Sequence, residues 1–180
     1  MPTSIATRTG DDGTTQLLFG QRVPKHHPQI VAVGAFDELN ATIGGVKPHL
    51  GSSARDGEIH ALLTTVQKNL IALMGELVCA ETDVGRYLNS QFDKIVAADL
   101  ARLDDALAGL EARGLTFSGW ATPGGNARAA ALDIARTTAR RAERQLGVMA
   151  EIGRHVRPEI RQYTNRLSDL LWLLAREAEQ

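Results

Sequence analysis

A single cysteine, Cys79, stands in a chain of 180 residues, which leaves no disulfide framework and no thiolate cluster for a metal. It falls in an apolar helical pattern and reads as core. No apolar run approaches the roughly 20 residues needed to cross a bilayer, and the N-terminus lacks the charged-then-apolar layout of a secretory signal. Net charge is almost absent too: 20 Lys and Arg against 21 Asp and Glu give −1, which argues against a dedicated nucleic-acid binder. Long strands, internal repeats and low-complexity tracts are missing. Histidines 26, 27, 49, 60 and 155 do not form the Glu-x-x-His pairs of a di-iron bundle, and the adjacent His26 and His27 read as solvated loop residues. The expectation is one cytoplasmic domain, residues 1–180, large enough for a substantial core and with neither membrane nor nucleic acid as partner.

What the chain does have is helical periodicity. A first helix is predicted over 29–46, with Phe36, Leu39, Ile43 and Val46 inward and Asp37, Glu38 and Asn40 on its polar side. A second, over 55–80, carries Ile59, Leu62, Leu63, Val66, Leu70, Leu73 and Leu77 at helical spacing. A third, over 90–112, turns Phe92, Val96, Leu100, Leu103, Leu107 and Leu110 inward and stops at Gly114. In the fourth, within 123–147, Leu132, Ala135, Ala139, Ala142, Leu146 and Met149 make a narrow stripe. Three alanines there let a neighbouring helix come close. Gly153 and Pro158 bracket a break before a fifth helix over 158–179, with Ile160, Leu167, Leu171 and Leu174 inward.

The fourth helix also concentrates charge. Arg136, Arg140 and Glu143 follow at i, i+4 and i+7, flanked by Arg141 and Arg144, so several guanidinium forks leave one face. Such faces are mostly solvated surface. Pro123, Gly124 and Gly125 before it, however, suggest a helix start whose free N–H groups favour an anion. Between residues 128 and 166 nine arginines meet four acids, an excess suited to a polyanionic small molecule. Asn165 and Asp169 lie one turn apart on the fifth helix, where surface filler is the ordinary reading. Phe117 and Trp120 precede the arginine helix, and a loop tryptophan ordinarily covers the end of a core.

Residues 1–29 lack helical period. Thr7, Arg8, Thr9, Gly10, Asp11, Asp12, Gly13, Thr14 and Thr15 form a dense run of turn formers and hydroxyls. Gly10 and Gly13 can turn successive N–H groups toward one anion, with Arg8, Arg22 and Lys25 supplying mobile positive charge. It is no Walker A loop, because no Gly-Lys-Ser/Thr follows at the required spacing. Alone, an exposed arm is an equal reading.

Together, TRTGDDGTT with the following RVPK, then AFDELNATIG, ARTTARRAER and NRLSDLLWLLAR, in that order from Thr7 to Arg176, resemble the PduO-type ATP:cob(I)alamin adenosyltransferases. The resemblance implies an all-α, ferritin-like up-and-down five-helix bundle (30–180) with an irregular N-terminal nucleotide-binding arm (1–29), assembled as a homotrimer with ATP between subunits. It implies that Thr7, Arg8, Thr9, Gly10, Asp11, Gly13, Thr14, Thr15 and Lys25 wrap the triphosphate. Arg140, Arg141, Glu143, Arg144 and Asn165 would complete the site from the adjoining protomer. Asp37 matches an acid that pairs with the arginine at Arg136, and Asp169 a further acid near the corrin. Arg140, Asp37 and Arg136 are the catalytic candidates, while no metal-ligating residue stands out.

The implied reaction is attack of a Co(I) corrinoid, cob(I)alamin or a relative, on C5′ of Mg²⁺-bound ATP, giving adenosylcobalamin and triphosphate. The cobalt is the nucleophile, so no catalytic serine, cysteine or histidine is required. A reductase supplying Co(I) and an adenosylcobalamin-dependent mutase would be partners. Three departures imply reduced activity or altered corrinoid preference: Trp120 where the family has a phenylalanine under the ring, His26 and His27 in place of an acidic pair, and a chain end at Gln180 where many relatives continue. The alternatives are a non-catalytic ATP- or corrinoid-binding bundle acting as carrier or sensor, and an interaction module using the Arg140 to Arg144 face.

Overall fold

The computed structural model describes residues 6–116 and 119–180; Phe117, expected beside Trp120, lies outside them. Two short strands, β1 (Thr14–Gln16) and β2 (Arg22–Pro24), precede helices α1 (Pro28–Val46), α2 (Ala54–Leu77), α3 (Val84–Leu88), α4 (Ala97–Glu111), α5 (Ala127–Glu151) and α6 (Pro158–Glu177). The five long helices are the expected bundle, and α3 is a one-turn addition at its end. The arm, expected to be irregular, contains an antiparallel ribbon with Thr15 opposite Val23.

α1 packs against α2 and α5, α5 against α6, and α6 against α4. The stripe read from the fourth predicted helix is the seam of this arrangement: Leu132, Ala135, Ala139, Ala142, Leu146 and Met149 are all at most 1% exposed. Alanine at three of these positions removes the side chains that would hold the axes apart. From the other helices Phe36, Leu39, Ile43, Leu63, Leu70, Leu167 and Leu171 complete one continuous core.

The third predicted helix needs correction. It begins at Ala97 rather than near residue 90, and Phe92 and Val96, expected inward, are each 50% exposed. The local side chains explain why. Ser90 Oγ donates to the Tyr87 carbonyl and accepts from Phe92 N–H, and Lys94 Nζ donates to the carbonyls of Ser90 and Phe92. These bonds offer the backbone an alternative to the helix. Ile95 is the residue that turns inward, and Asp99 accepts from Val96 N–H to set the start of α4.

The second predicted helix stops at Leu77, three residues early, because its end is gripped from outside. Gln29 Nε2 donates to the carbonyls of Leu77 and Cys79, while Arg154 reaches the carbonyls of Cys79 and Glu76. These donors satisfy carbonyls that a helix end would otherwise leave orphaned. Glu76, 1% exposed, accepts from Nε and Nη2 of Arg157, at 2.8 and 2.7 Å. Cys79 is fully buried, and burial pushes its thiol above the ordinary range. His27 is not simply solvated: its Nδ1 caps α1 by accepting from Gln29 N–H.

Among the described residues no single helix is long and apolar enough to cross a membrane, although one bent pair, α2 with the segment 81–88, passes that test together.

Burial raises both tyrosines: Tyr87 to about 12, and Tyr163 higher still, since burial outweighs the hydrogen bond from Asn69. The folded state therefore keeps protons that the unfolded chain has released above pH 10.0. This contribution to stability is complete below that pH and is lost as pH rises through the folded values. Because these are the only two tyrosines, ultraviolet titration reads them directly. The expected result is no tyrosinate band at about pH 10.5 while helicity persists, against the ordinary phenol value; a band in the folded protein at that pH would contradict the burial.

Candidate functional site

The arm is organised from inside by one carboxylate. Asp12 Oδ1 accepts from Thr14 N–H at 2.9 Å and Thr14 Oγ1 at 2.7 Å, forming a turn closed by its own side chain. Arg22, expected to be mobile, is locked: its guanidinium donates to the Thr9 carbonyl at 2.7 Å, to Asp12 at 3.2 Å and to the Thr14 hydroxyl. Thr14 first, then Arg22, hold the Asp12 carboxyl below its ordinary value. Leu18 N–H donates to the Val78 carbonyl, Gln21 bonds Asp83, and Arg86 stacks on Phe19, so the ribbon is moored at the end of α2.

Gly10 and Gly13 serve different needs. Gly13 has φ +81°, where only glycine is at ease, and Arg8 also adopts a positive φ of 57°. Gly10 is instead required for space, since a Cβ there would lie 3.1 Å from Lys25 Cε, Lys25 Nζ and the Thr14 carbonyl. The expected anion nest is therefore partly spent on the turn: the N–H groups of Asp11, Gly13 and Thr14 donate within it. What remains is an open cavity of about 300 Å³ lined by Thr7, Thr9, Gly10, Thr14, Thr15 and Lys25. Gln16, which the sequence did not single out, and Arg22, expected as nearby mobile charge, line it as well. Arg8, Asp11 and Gly13, expected in the site, do not line it.

A second group lies on α5 and α6. Arg140, Arg141 and Arg144 are exposed, and Glu143 is half-buried and accepts from Asn165 Nδ2 at 3.4 Å. Arg144 donates to the Arg140 carbonyl, and Arg141 pairs with Glu38 of α1. Among the described residues the side chains of Lys25, Asp37, Arg140 and Asp169 have no hydrogen-bonding or ionic partner. The arm rests near Ala80 and Gly153, beyond the end of α5. Arg140 stands twelve residues before Ile152, the residue that caps that helix, about 18 Å along its axis. Among the described residues no hydrogen bond or ion pair joins the two groups.

The third region flanks the start of α5. Its N-terminus is not the open anion site expected from Pro123, Gly124 and Gly125: Asn126 caps it by accepting from Ala129 N–H at 2.9 Å. Beside it a cavity of about 310 Å³ is lined by Pro123, Gly124, Ala130, Asp133, Ile134, Arg136 and Thr137. Trp120, read as the cover of a core, is 100% exposed. Within the chain Arg136 pairs not with Asp37 but with Asp133, one turn away on its own helix, at 2.9 Å. Asp133 is also bound by Arg176 at 2.6 Å. The only sequence signal for Asp133 was an acid set directly against the alanine stripe.

Depressing an acid's folded value stabilises the folded form above the unfolded value and not below it. The order that Asp12 gives the arm is thus complete above pH 3.8 and lost as pH falls through its lower folded value. Asp12→Ala should speed amide hydrogen exchange at Thr14 and Lys25 at neutral pH and leave the protection of α1 and α5 alone. Unchanged exchange would remove Asp12 as the organiser.

Residues 5–178 match the family described as cobalamin adenosyltransferase. A cobalamin adenosyltransferase of Cupriavidus metallidurans is 41% identical over 176 residues, covering 96% of this chain and 86% of that protein. The corrinoid adenosyltransferase PduO of Salmonella typhimurium is 39% identical over 177 residues, and the chain spans only about half, 49%, of its length. Among solved structures, a variant PduO-type ATP:corrinoid adenosyltransferase from Lactobacillus reuteri, complexed with cobalamin and ATP, superposes with a TM-score of 0.84 at 29% identity, covering 98% of this chain and 91% of that one.

Proposed function

The chain belongs to the cobalamin adenosyltransferase family, and we propose that it transfers the 5′-deoxyadenosyl group of ATP to the cobalt of a Co(I) corrinoid. The cobalt lone pair forms the Co–C5′ bond, the C5′–O bond breaks, and its electron pair leaves with inorganic triphosphate. Mg²⁺ enters as part of the nucleotide substrate, held by phosphate and water oxygens.

The observation that carries this reading is the arm cavity, where Lys25 Nζ hangs over Gly10 among the hydroxyls of Thr7, Thr9, Thr14 and Thr15. The unpaired Lys25 ammonium and the hydroxyls of Thr7, Thr9 and Thr15 meet charge that develops on a leaving polyphosphate, while the Thr14 hydroxyl hydrogen is spent on Asp12. Arg8, Asp11 and Gly13 are assigned to the same arm. Arg140, Arg141, Arg144, Glu143 and Asn165 complete the nucleotide site from another protomer, and a homotrimer is the assembly proposed. The separation of the arm from Arg140 within one chain supports that assignment. Arg136 would hold the partner's charge or substrate with the part of its fork that Asp133 leaves free, Asp37 being its proposed counterpart across subunits. Trp120 and Asp169 are assigned to the corrin side. The same reading puts the protein in the cytoplasm, where thiols such as Cys79 stay reduced, with a reductase upstream and a mutase downstream.

Mixing the purified protein with ATP, Mg²⁺ and chemically reduced cob(I)alamin should yield the light-sensitive adenosylated product. Arg140→Ala should lower kcat about 100-fold or more, the cost of removing one preorganised donor to a developing anion, with its helicity intact. Binding of ATP and cobalamin without turnover would move the assignment to a carrier or sensor. Light scattering should give three times the 19.4 kDa protomer mass; a monomer that turns over at full rate would refute the shared site.

A further inference from the structure

Around the start of α5 four charged groups form a chain that leads from the Pro123–Gly125 loop to Arg136. Glu179 lies so close over Gly125 that a Cβ there would meet its Oε1 at 2.8 Å, and Asn126 Nδ2 donates to the Ala178 carbonyl at 2.6 Å. Glu179 in turn contacts Arg176 at 3.2 Å. Arg176, 3% exposed and 5.8 Å from the Trp172 ring, gives an Nη2 hydrogen to Asp133 Oδ2 at 2.6 Å. Asp133 Oδ1 then accepts from Arg136 Nε at 2.9 Å.

Resting on the adenosyl-transfer reading above, we propose that Asp133 is a positioning residue for that reaction: it fixes the azimuth of Arg136 and ties it, through Arg176 and Glu179, to the loop that follows Trp120. Three features carry the assignment. Asp133 is 3% exposed, so its carboxylate has no solvent alternative and both its oxygens are used by arginine. It takes Arg136 by Nε, which leaves the two terminal nitrogens of the fork without a bond to it, and both residues line the same cavity. And Arg176 is itself anchored at the far end of α6, so the carboxylate that orients Arg136 is not free to swing. A guanidinium held this way presents its remaining donors in one plane, which a solvated arginine does not.

The test is a double-mutant cycle with Asp133→Asn and Arg136→Lys, read in three ways: kcat, KM for ATP, and cobalamin affinity by absorbance titration. Asparagine keeps the volume and one acceptor oxygen, so the buried Arg176 retains a partner; thermal melting of each variant confirms that it is folded at the assay temperature. Asp133→Asn should cost about 10- to 100-fold in kcat, the scale of a small misplacement of a reacting group, with KM for ATP unchanged because the arm is remote. Placed on Arg136→Lys, it should add less than about twofold, since one residue acts through the other. Multiplicative losses, or a loss confined to KM for ATP, would overturn the role given to Asp133 while leaving the reaction standing. A folded wild type with no turnover would sink the adenosyl-transfer reading and this role with it.

Discussion

Three alanines on one face of α5 set the spacing of the whole molecule. Ala135, Ala139 and Ala142 carry no side chain beyond Cβ, and each is fully buried, so α1 and α6 close on α5 with little between backbones. That closeness fixes which way everything else on α5 faces. Arg136, Arg140, Arg141 and Arg144 lie on the remaining arc and cannot rotate toward the core without breaking the seam. A larger residue at any of the three alanines would push an axis outward and move those guanidinium groups together.

Arginines that look alike in the sequence meet three different fates. Arg154 and Arg157 are consumed by folding: the first grips the exposed carbonyls at the end of α2, the second the buried carboxylate of Glu76. Such groups are costly to strand, because removing one partner leaves an uncompensated charge inside. Arg22 and Arg176 are internal struts, one holding a loop and the other a carboxylate. Arg140 has neither duty, and among the described residues its fork has no partner. The ionic partners, rather than the residue type, separate structure from function here.

The helices were legible because their apolar spacing is regular over many turns; the alanine stripe in particular left no second solution. The start of α4 was not, since Phe92 and Val96 continue the period by sequence alone while Ser90 and Lys94 divert the backbone by hydrogen bonds that no periodicity encodes. In the site, the run from Thr7 to Thr15 read by composition as a turn-rich segment, either an anion loop or an exposed arm, and its interior bonding depends on Asp12 and Arg22 meeting across a ribbon. Asp133 stayed hidden for a related reason. A lone acid beside an apolar stripe reads as a helix-surface residue until Arg176, 43 positions later, is seen to reach it.

Charge arithmetic favours a site made of two halves. Residues 7–25 hold Arg8, Arg22 and Lys25 against Asp11 and Asp12, a net +1, and residues 140–144 hold three arginines against Glu143, a net +2. A departing triphosphate carries about four negative charges, which preorganised donors must meet at the moment of bond breaking. Neither half approaches that figure. Brought together, as the proposed assembly requires, they reach +3. In the proposed assembly the arm is prepared by its own fold and the complementary charge comes with a neighbour, so the electrostatics of the proposed reaction and the proposed oligomer become a single requirement.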